Sequence, residues 1–345
     1  MTKHYGKSMA DVLPFKKDHF DENEEMLKRV ETARKIYCSQ IRRTKCKICS
    51  SKLPQEKYFV SHNVDYFSCL VCGHINGGHE DEVKFAEEAF EADFHVPAYQ
   101  ESDKKMYFKR MESIYVPKVK FLLDSLENVL QNLKGGIKFF DIGAGAGYMT
   151  YAMDSYGLNV EGVELSKTLV EYANRMAGKK LLHAVRQEDV ADLVRYTEKE
   201  CLVFIGVLEH IANLAEILTC IKENKNIKYL YFSVPMLSLS CALEVAFPEI
   251  LPRQTWGGAH SNLFTWQSIE WIFEKYGYSY ISTWSFGADI MDLYRSVSLS
   301  LKSNNCHPDF IKRVSDMFCE HGDEMQLIVD KSGFASEVHV VAQVH

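Results

Sequence analysis

Three groups of residues in this chain have types and spacings that can do chemistry. The first is the run 138–153, Lys-Phe-Phe-Asp-Ile-Gly-Ala-Gly-Ala-Gly-Tyr-Met-Thr-Tyr-Ala-Met. There an apolar stretch ends at Asp141 and glycines recur at Gly143, Gly145 and Gly147. Glycine is needed where a chain turns tightly or where a ligand lies closer than a Cβ permits. The helical pattern that follows offers unpaired N–H groups and a positive dipole end. The second group is Cys46-x-x-Cys49 and Cys69-x-x-Cys72, two pairs separated by nineteen residues. Each C-x-x-C turn can place two thiolates on one ion, and two such turns complete a tetrahedron. This is the pattern of a structural zinc ribbon with no open coordination position. The third group is a set of acid–base candidates: Glu209-His210 after one apolar run, and His260 in Trp256-Gly257-Gly258-Ala259-His260 after the next. A neutral imidazole with a pKa of about 6.5 can take a proton near neutral pH. The same positions also suit residues that cap or brace the following helices.

These residues need a scaffold, and the chain supplies its pattern. From residue 137 onward strand-like and helix-like runs alternate, which predicts a parallel sheet covered on both faces. Strands are expected at 137–142, 160–165, 181–185, 201–206, 229–234, 278–286 and 337–344, with helices at 166–177 and 265–276 among those between them. A doubly wound α/β sheet of this kind binds ligands beyond the carboxyl ends of its strands, where all the acid–base candidates fall. About fifty residues, 287–336, precede the last strand, and a connection that long needs its own structure; helices are expected at 308–318 and 323–329. Upstream, the chain divides into a polar segment 1–44, the cysteine module 45–79, a helical linker 80–134 and the α/β domain 135–345. The first contains an amphipathic helix over 21–40 with Met26, Val30, Ala33 and Tyr37 on one face. The linker reads as helices at 80–93 and 107–133, the second ended by Lys134-Gly135-Gly136.

The chain of 345 residues can bury one large core and a small one. A net charge of −7 argues against a strongly basic nucleic-acid binder. There is no run of eighteen apolar residues that could span a membrane, and the first residues lack the apolar core of a signal peptide. The ten cysteines are therefore expected to be reduced, in a cytoplasmic protein. The cysteine module has too little apolar content to fold unaided, so a metal would supply its stability.

The identity of the ligand on the glycine turn follows from what the turn lacks. A dinucleotide fingerprint places its third glycine three residues after the second, and here that position is Tyr148. The pattern is instead G-x-G-x-G led by an acid, which disfavours a pyrophosphate and suits a cationic ligand such as a sulfonium with an amino-acid tail. The next strand-like run ends at Glu164, 23 residues after Asp141, where a carboxylate can accept hydrogen bonds from a ribose diol. NAD, or a turn with no ligand, are the competing readings. This arrangement resembles motif I and the following acidic position of class I S-adenosylmethionine (SAM) methyltransferases.

That resemblance spans about residues 45–290 and implies a Rossmann-like, seven-stranded sheet of order 3-2-1-4-5-7-6 with an antiparallel last strand. It implies that Asp141, Gly143, Gly145, Gly147 and Glu164 hold SAM and that Asp189 lies near the adenine. Val207-Leu208-Glu209-His210 resembles the V-L-E-H segment that borders the cofactor in small-molecule methyltransferases, so Val207 joins the cofactor set and Glu209 and His210 the catalytic set. Sugar C-methyltransferases that also carry an N-terminal four-cysteine module have a Tyr-His-Glu-His segment where this chain keeps only His260, preceded by Ala259. In zinc-module methyltransferases the linker lids the site with a tyrosine, for which Tyr99 and Tyr107, with Arg110, are the candidates. The implied acceptor is a small molecule of the sugar, nucleotide-sugar or surface-polysaccharide type, with His260 as base. Two other readings stand beside it: methylation of RNA read by the ribbon and the basic run 42–47, and a SAM-binding adaptor without catalysis.

Overall fold

The computed structural model describes residues 8–15, 23–81, 103–132, 136–251, 260 and 262–345. Three short antiparallel strands, β1 (Phe59–Ser61), β2 (Val64–Ser68) and β3 (Ile75–Gly77), are interleaved with the cysteine pairs. The larger sheet comprises β4 (Lys138–Ile142), β5 (Asn159–Glu164), β6 (Leu182–Ala184), β7 (Cys201–Ile205), β8 (Tyr229–Pro235), β9 (Tyr278–Ser285) and β10 (Glu337–Val344). Its order is β6-β5-β4-β7-β8-β10-β9. The pairs among β4 to β8 are parallel, and β10 runs antiparallel to both neighbours. Numbered within the sheet alone this is the expected 3-2-1-4-5-7-6, and the strand limits fall within about a residue of those read from the sequence.

Apolar strands account for that agreement. Phe139 to Ile142 and Cys201 to Phe204 are buried along their whole length, as strands covered on both faces must be. Phe140, Ile142, Leu202, Phe204, Leu230 and Phe232 contribute to one core layer; Phe139, Val203 and Tyr231 contribute to the other. The first layer also takes in Cys46, Ile48 and Leu53, so the cysteine module shares its core with the sheet. Helix ends follow local rules. Ser166 caps Lys167–Ala177 by accepting from Leu169 N, and Thr265 and Ser268 form a capping box at the start of Trp266–Tyr276. In the helix Asn23–Cys38, Val30 and Tyr37 are buried, and the Tyr37 hydroxyl donates to His79 O at 2.8 Å, tying this helix to the ribbon.

Two helical expectations need correction. The linker is one helical stretch from 104 to 132, but a π-turn, Met111–Tyr115, separates the α-helices Lys104–Arg110 and Val116–Asn132. The expected helix at 80–93 and Tyr99 lie almost wholly or wholly outside the described residues. The 287–336 segment forms a helix Asp289–Ser303 and a single helix Pro308–Lys331, not two short ones after 308. Gly322 does not break that helix, because its bare face is packed: a Cβ there would come within 2.9 Å of Met9 Cε. Tertiary contact outweighs the roughly 1 kcal/mol helix penalty of glycine.

Asp289 fastens this pair of helices to the sheet. Its Oδ1 accepts from Ser240 N and Oγ, both at 2.9 Å, and its Oδ2 accepts from Ser336 N at 2.9 Å and Gln326 Nε2 at 3.1 Å. The residue is fully buried. Replacing Asp289 by alanine strands two buried backbone N–H groups, and denaturant titration should show a loss of about 3 kcal/mol. Asp289→Asn, which keeps one of the two acceptor oxygens, should lose less.

Candidate active site

The glycine turn joins β4 to the helix Tyr148–Ser155 with Gly143, Gly145 and Gly147 all in the left-handed region, at φ of 70°, 55° and 76°. The three positions have different neighbours. A Cβ on Gly143 would come within 2.7 Å of Val207 Cγ2, so this glycine lets the turn lie directly against the exit of β7. A Cβ on Gly147 would crowd Ala173 and the Tyr151 ring at 3.0 Å. A Cβ on Gly145 would meet nothing within 4 Å; this is where the turn faces open space. Gly145 N donates to Glu164 Oε2 at 2.8 Å, and Ser166 N donates to Oε1 at 2.9 Å. Each carboxylate oxygen thus keeps acceptor capacity, and Glu164 is partly exposed at the end of β5.

Asp141 lies beneath the turn. It is 1% exposed, and its Oδ2 accepts from Thr150 Oγ1 at 2.6 Å. Burial pushes its carboxyl up to about 7, with the nearby Glu164 charge adding to the effect and the Thr150 bond opposing it. Tyr107 is fully buried, and its hydroxyl donates to Ala146 O of the turn at 2.9 Å. Tyr107 and Tyr115 stack on Tyr148 with centroids 4.5 and 5.1 Å apart, and the Arg110 guanidinium lies 5.3 Å from the Tyr148 ring centroid. This aromatic backing is invisible to sequence spacing, since Tyr107 and Tyr115 reach the turn from the linker.

After β7, Gly206 and Val207 lead into a 3₁₀ turn, Leu208–His210. Glu209 is 5% exposed, its Oε2 has no hydrogen-bond partner among the described residues, and burial pushes its carboxyl up to about 8. The His210 and His260 rings stand 4.9 Å apart, and one side-chain donor atom from each of Glu209, His210 and His260 lies within 4.8 Å of the others. The structure therefore gathers all three acid–base candidates. His260 does not cap the following helix, a task done by Thr265 and Ser268. Trp256 to Ala259 lie outside the described residues. Asp189 stands apart from this group: its side chain is exposed and held by Arg186 through two bonds of 2.9 Å.

One residue that sequence reasoning passed over organises the cluster. Asn262 is fully buried. Its N–H donates to Glu209 O at 3.0 Å, and its Nδ2 donates to Leu208 O at 3.1 Å and Ile211 O at 2.9 Å. A polar residue directly before the apolar pair Leu263-Phe264 was the available signal, and a weak one.

The four cysteine Sγ atoms lie within 4.8 Å of one another, with Cys46–Cys72 at 3.5 Å and Cys49–Cys69 at 3.4 Å. A tetrahedral thiolate site with bonds of about 2.3 Å has edges of about 3.8 Å, so the set fits one ion. The Cys72 thiol and the amides of the first knuckle lower Cys46, while the same contact and burial raise Cys72.

A family model described as a methyltransferase domain matches residues 107–283, just over half of the chain. The fold and the turn define a class I SAM-dependent methyltransferase, and the chain belongs to this methyltransferase-domain family. Among solved structures, it is similar to magnesium protoporphyrin IX methyltransferase from Synechocystis PCC 6803 with bound SAH, at 12% identity over 76% of this chain and 96% of that one, TM-score 0.45. It is also similar to a SAM-dependent methyltransferase from Archaeoglobus fulgidus, at 15% identity over 69% and 99%, TM-score 0.39. No curated protein matches the chain.

The Asp141 carboxyl gives the protein a pH-dependent stability. Its folded-state value of about 7 exceeds the ordinary 3.8, so the folded protein holds this proton where the unfolded chain has released it. The stabilisation is complete below about pH 4 and is lost as pH rises to about 7, at most about 4 kcal/mol in all. Asp141→Asn cannot ionise, and calorimetry across this range should show a shallower fall in Tm than for the parent protein.

Proposed function

We propose that the chain transfers a methyl group from SAM to a small-molecule acceptor of the sugar, nucleotide-sugar or polysaccharide-precursor type, and that its ribbon holds one structural zinc ion. The observation that carries the reading is the open face at Gly145, with Glu164 on one side and, across the Gly143–Val207 contact, the Glu209–His210–His260 cluster on the other. SAM supplies a methyl group on a sulfonium, ready for direct displacement. The protein's part is alignment and proton removal. Glu164 accepts from the ribose diol with its spare lone pairs, the turn approaches the ligand with bare backbone, and Val207 contributes an apolar wall. Asp189, on the turn after β6, reaches the adenine amino group in this reading. His260 takes the acceptor's proton. Glu209, kept protonated at neutral pH by burial, serves as a hydrogen-bond donor beside it.

Three of the four cations in the ribbon's basic run are paired within the protein, which weighs against RNA. Arg42 pairs with Asp65 at 3.3 Å, Arg43 with Glu80 at 2.8 Å and Asp81 at 3.2 Å, and Lys47 with Asp81. Cations already neutralised within the protein release few counterions on binding a phosphate backbone. An adaptor without catalysis would have no need for a buried acid gathered with two histidines beside the turn.

Calorimetry should show SAM binding, weakened at least about tenfold in Glu164→Ala. His260→Ala should retain SAM affinity and lose at least about tenfold in turnover; full turnover in a folded variant removes the base role. Elemental analysis of protein purified without chelator should give one zinc per chain, and metal-free folded protein would contradict the ribbon assignment. Retention on bulk RNA that weakens with salt would favour the RNA reading.

A further inference from the structure

We infer that the four-cysteine module is a positioning element for the Glu209–His210–His260 cluster, and that Asn262 is the positioning residue through which it acts. The inference rests on the functional reading above for the meaning of the cluster, but the coupling itself is a matter of hydrogen bonds.

Three of the four carbonyls of residues 208–211, those of Leu208, Glu209 and Ile211, accept from Asn262. The shape of this turn is therefore set from outside its own strand, by a buried side chain that arrives from a distant part of the chain. Asn262 is in turn placed by the ribbon. Ile75 N donates to Leu263 O at 3.2 Å, the Thr265 hydroxyl donates to Gly73 O at 3.1 Å, and the buried His74 ring stands edge-on to Phe264 at 5.5 Å. Those ribbon residues immediately follow Cys72. The His74 carbonyl accepts from Cys69 N at 2.9 Å and from Asn76 Nδ2 at 2.9 Å, and the same Asn76 amide also lies 3.6 Å from Cys46 Sγ as a donor. Asn76 Oδ1 accepts from Lys47 N at 3.0 Å. Both knuckles are thus joined through Asn76, Ile75, Leu263 and Asn262 to the turn that carries Glu209 and His210. His260 lies two residues before Asn262 in the chain, with its ring 4.9 Å from that of His210. The other side of that segment is pinned by Leu237 N, which donates to Phe264 O at 2.8 Å. A module that merely covered the sheet would need apolar contact alone; this one supplies directed bonds to the segment that shapes the site.

The test uses the full-length, zinc-containing protein. Hydrogen exchange is measured on peptides covering 208–213 and 260–265 before and after zinc removal by chelator. Protection in both should fall at least about tenfold on zinc removal, while peptides of β4 and β5 change little. Unchanged protection at 208–213 overturns the inference. In a second arm, Asn262→Leu removes the Nδ2 donors at similar volume and adds no charge. Zinc content and SAM affinity should stay within twofold of the parent, while NMR titration of His210 and His260, assigned with single His→Gln variants, shifts by at least half a pH unit. Identical histidine titrations in a folded Asn262→Leu protein also overturn it. If the parent protein binds no SAM, the methyltransferase reading fails, but the exchange result still decides the coupling.

Discussion

The site depends on one short segment, residues 262–265, being trapped between three parts of the chain that are far apart in sequence. Its backbone and the Asn262 side chain bond the turn after β7, its Leu263 carbonyl bonds the ribbon, and its Phe264 carbonyl bonds the loop after β8. Buried backbone groups must find partners. Here the partners are distributed so that the ribbon, the sheet edge and the histidine-bearing loop satisfy one another. That mutual dependence explains why the ribbon cysteines share the sheet's own hydrophobic layer and do not form a separate, tethered unit.

Electrostatics follows from the same burial. Asp141 and Glu209 sit at the carboxyl edge of adjacent parallel strands, each removed from water and neither in a salt bridge among the described residues. Desolvation dominates both, so both carboxyls are raised. Burial also dominates at the ribbon, where it lowers the Lys47 ammonium despite the Asp81 carboxylate beside it. Arg43 and Lys47 meet Asp81 in a buried pairing that joins the stretch around Cys46 to the chain that leaves the ribbon.

The sheet was readable from the chain because strands buried on both faces are continuous apolar runs, and Asp141, Glu164 and Val207 could be placed at their ends by counting. The cysteine quartet was readable because its spacing has few other uses. The long insertion was read as two helices after 308 where there is one, and it runs through Gly322, against which Met9 packs. Asn262 and the Tyr107–Tyr148–Tyr115 stack escaped notice because their partners lie tens of residues away, beyond any local periodicity.

The sequence by itself determined the elements and the inventory: seven strands in register with their helices, a glycine turn with its distant acid, four thiols and a pair of histidines. These are local properties, written in periodicity of two and 3.6 residues and in the backbone freedom of glycine. Only the tertiary structure decided which glycine faces open space, that Asp141 lies under the turn, that Glu209, His210 and His260 converge, and that the ribbon reaches them through Asn262. Each of these is set by hydrogen bonds and close packing between segments distant along the chain, and no local pattern carries that information.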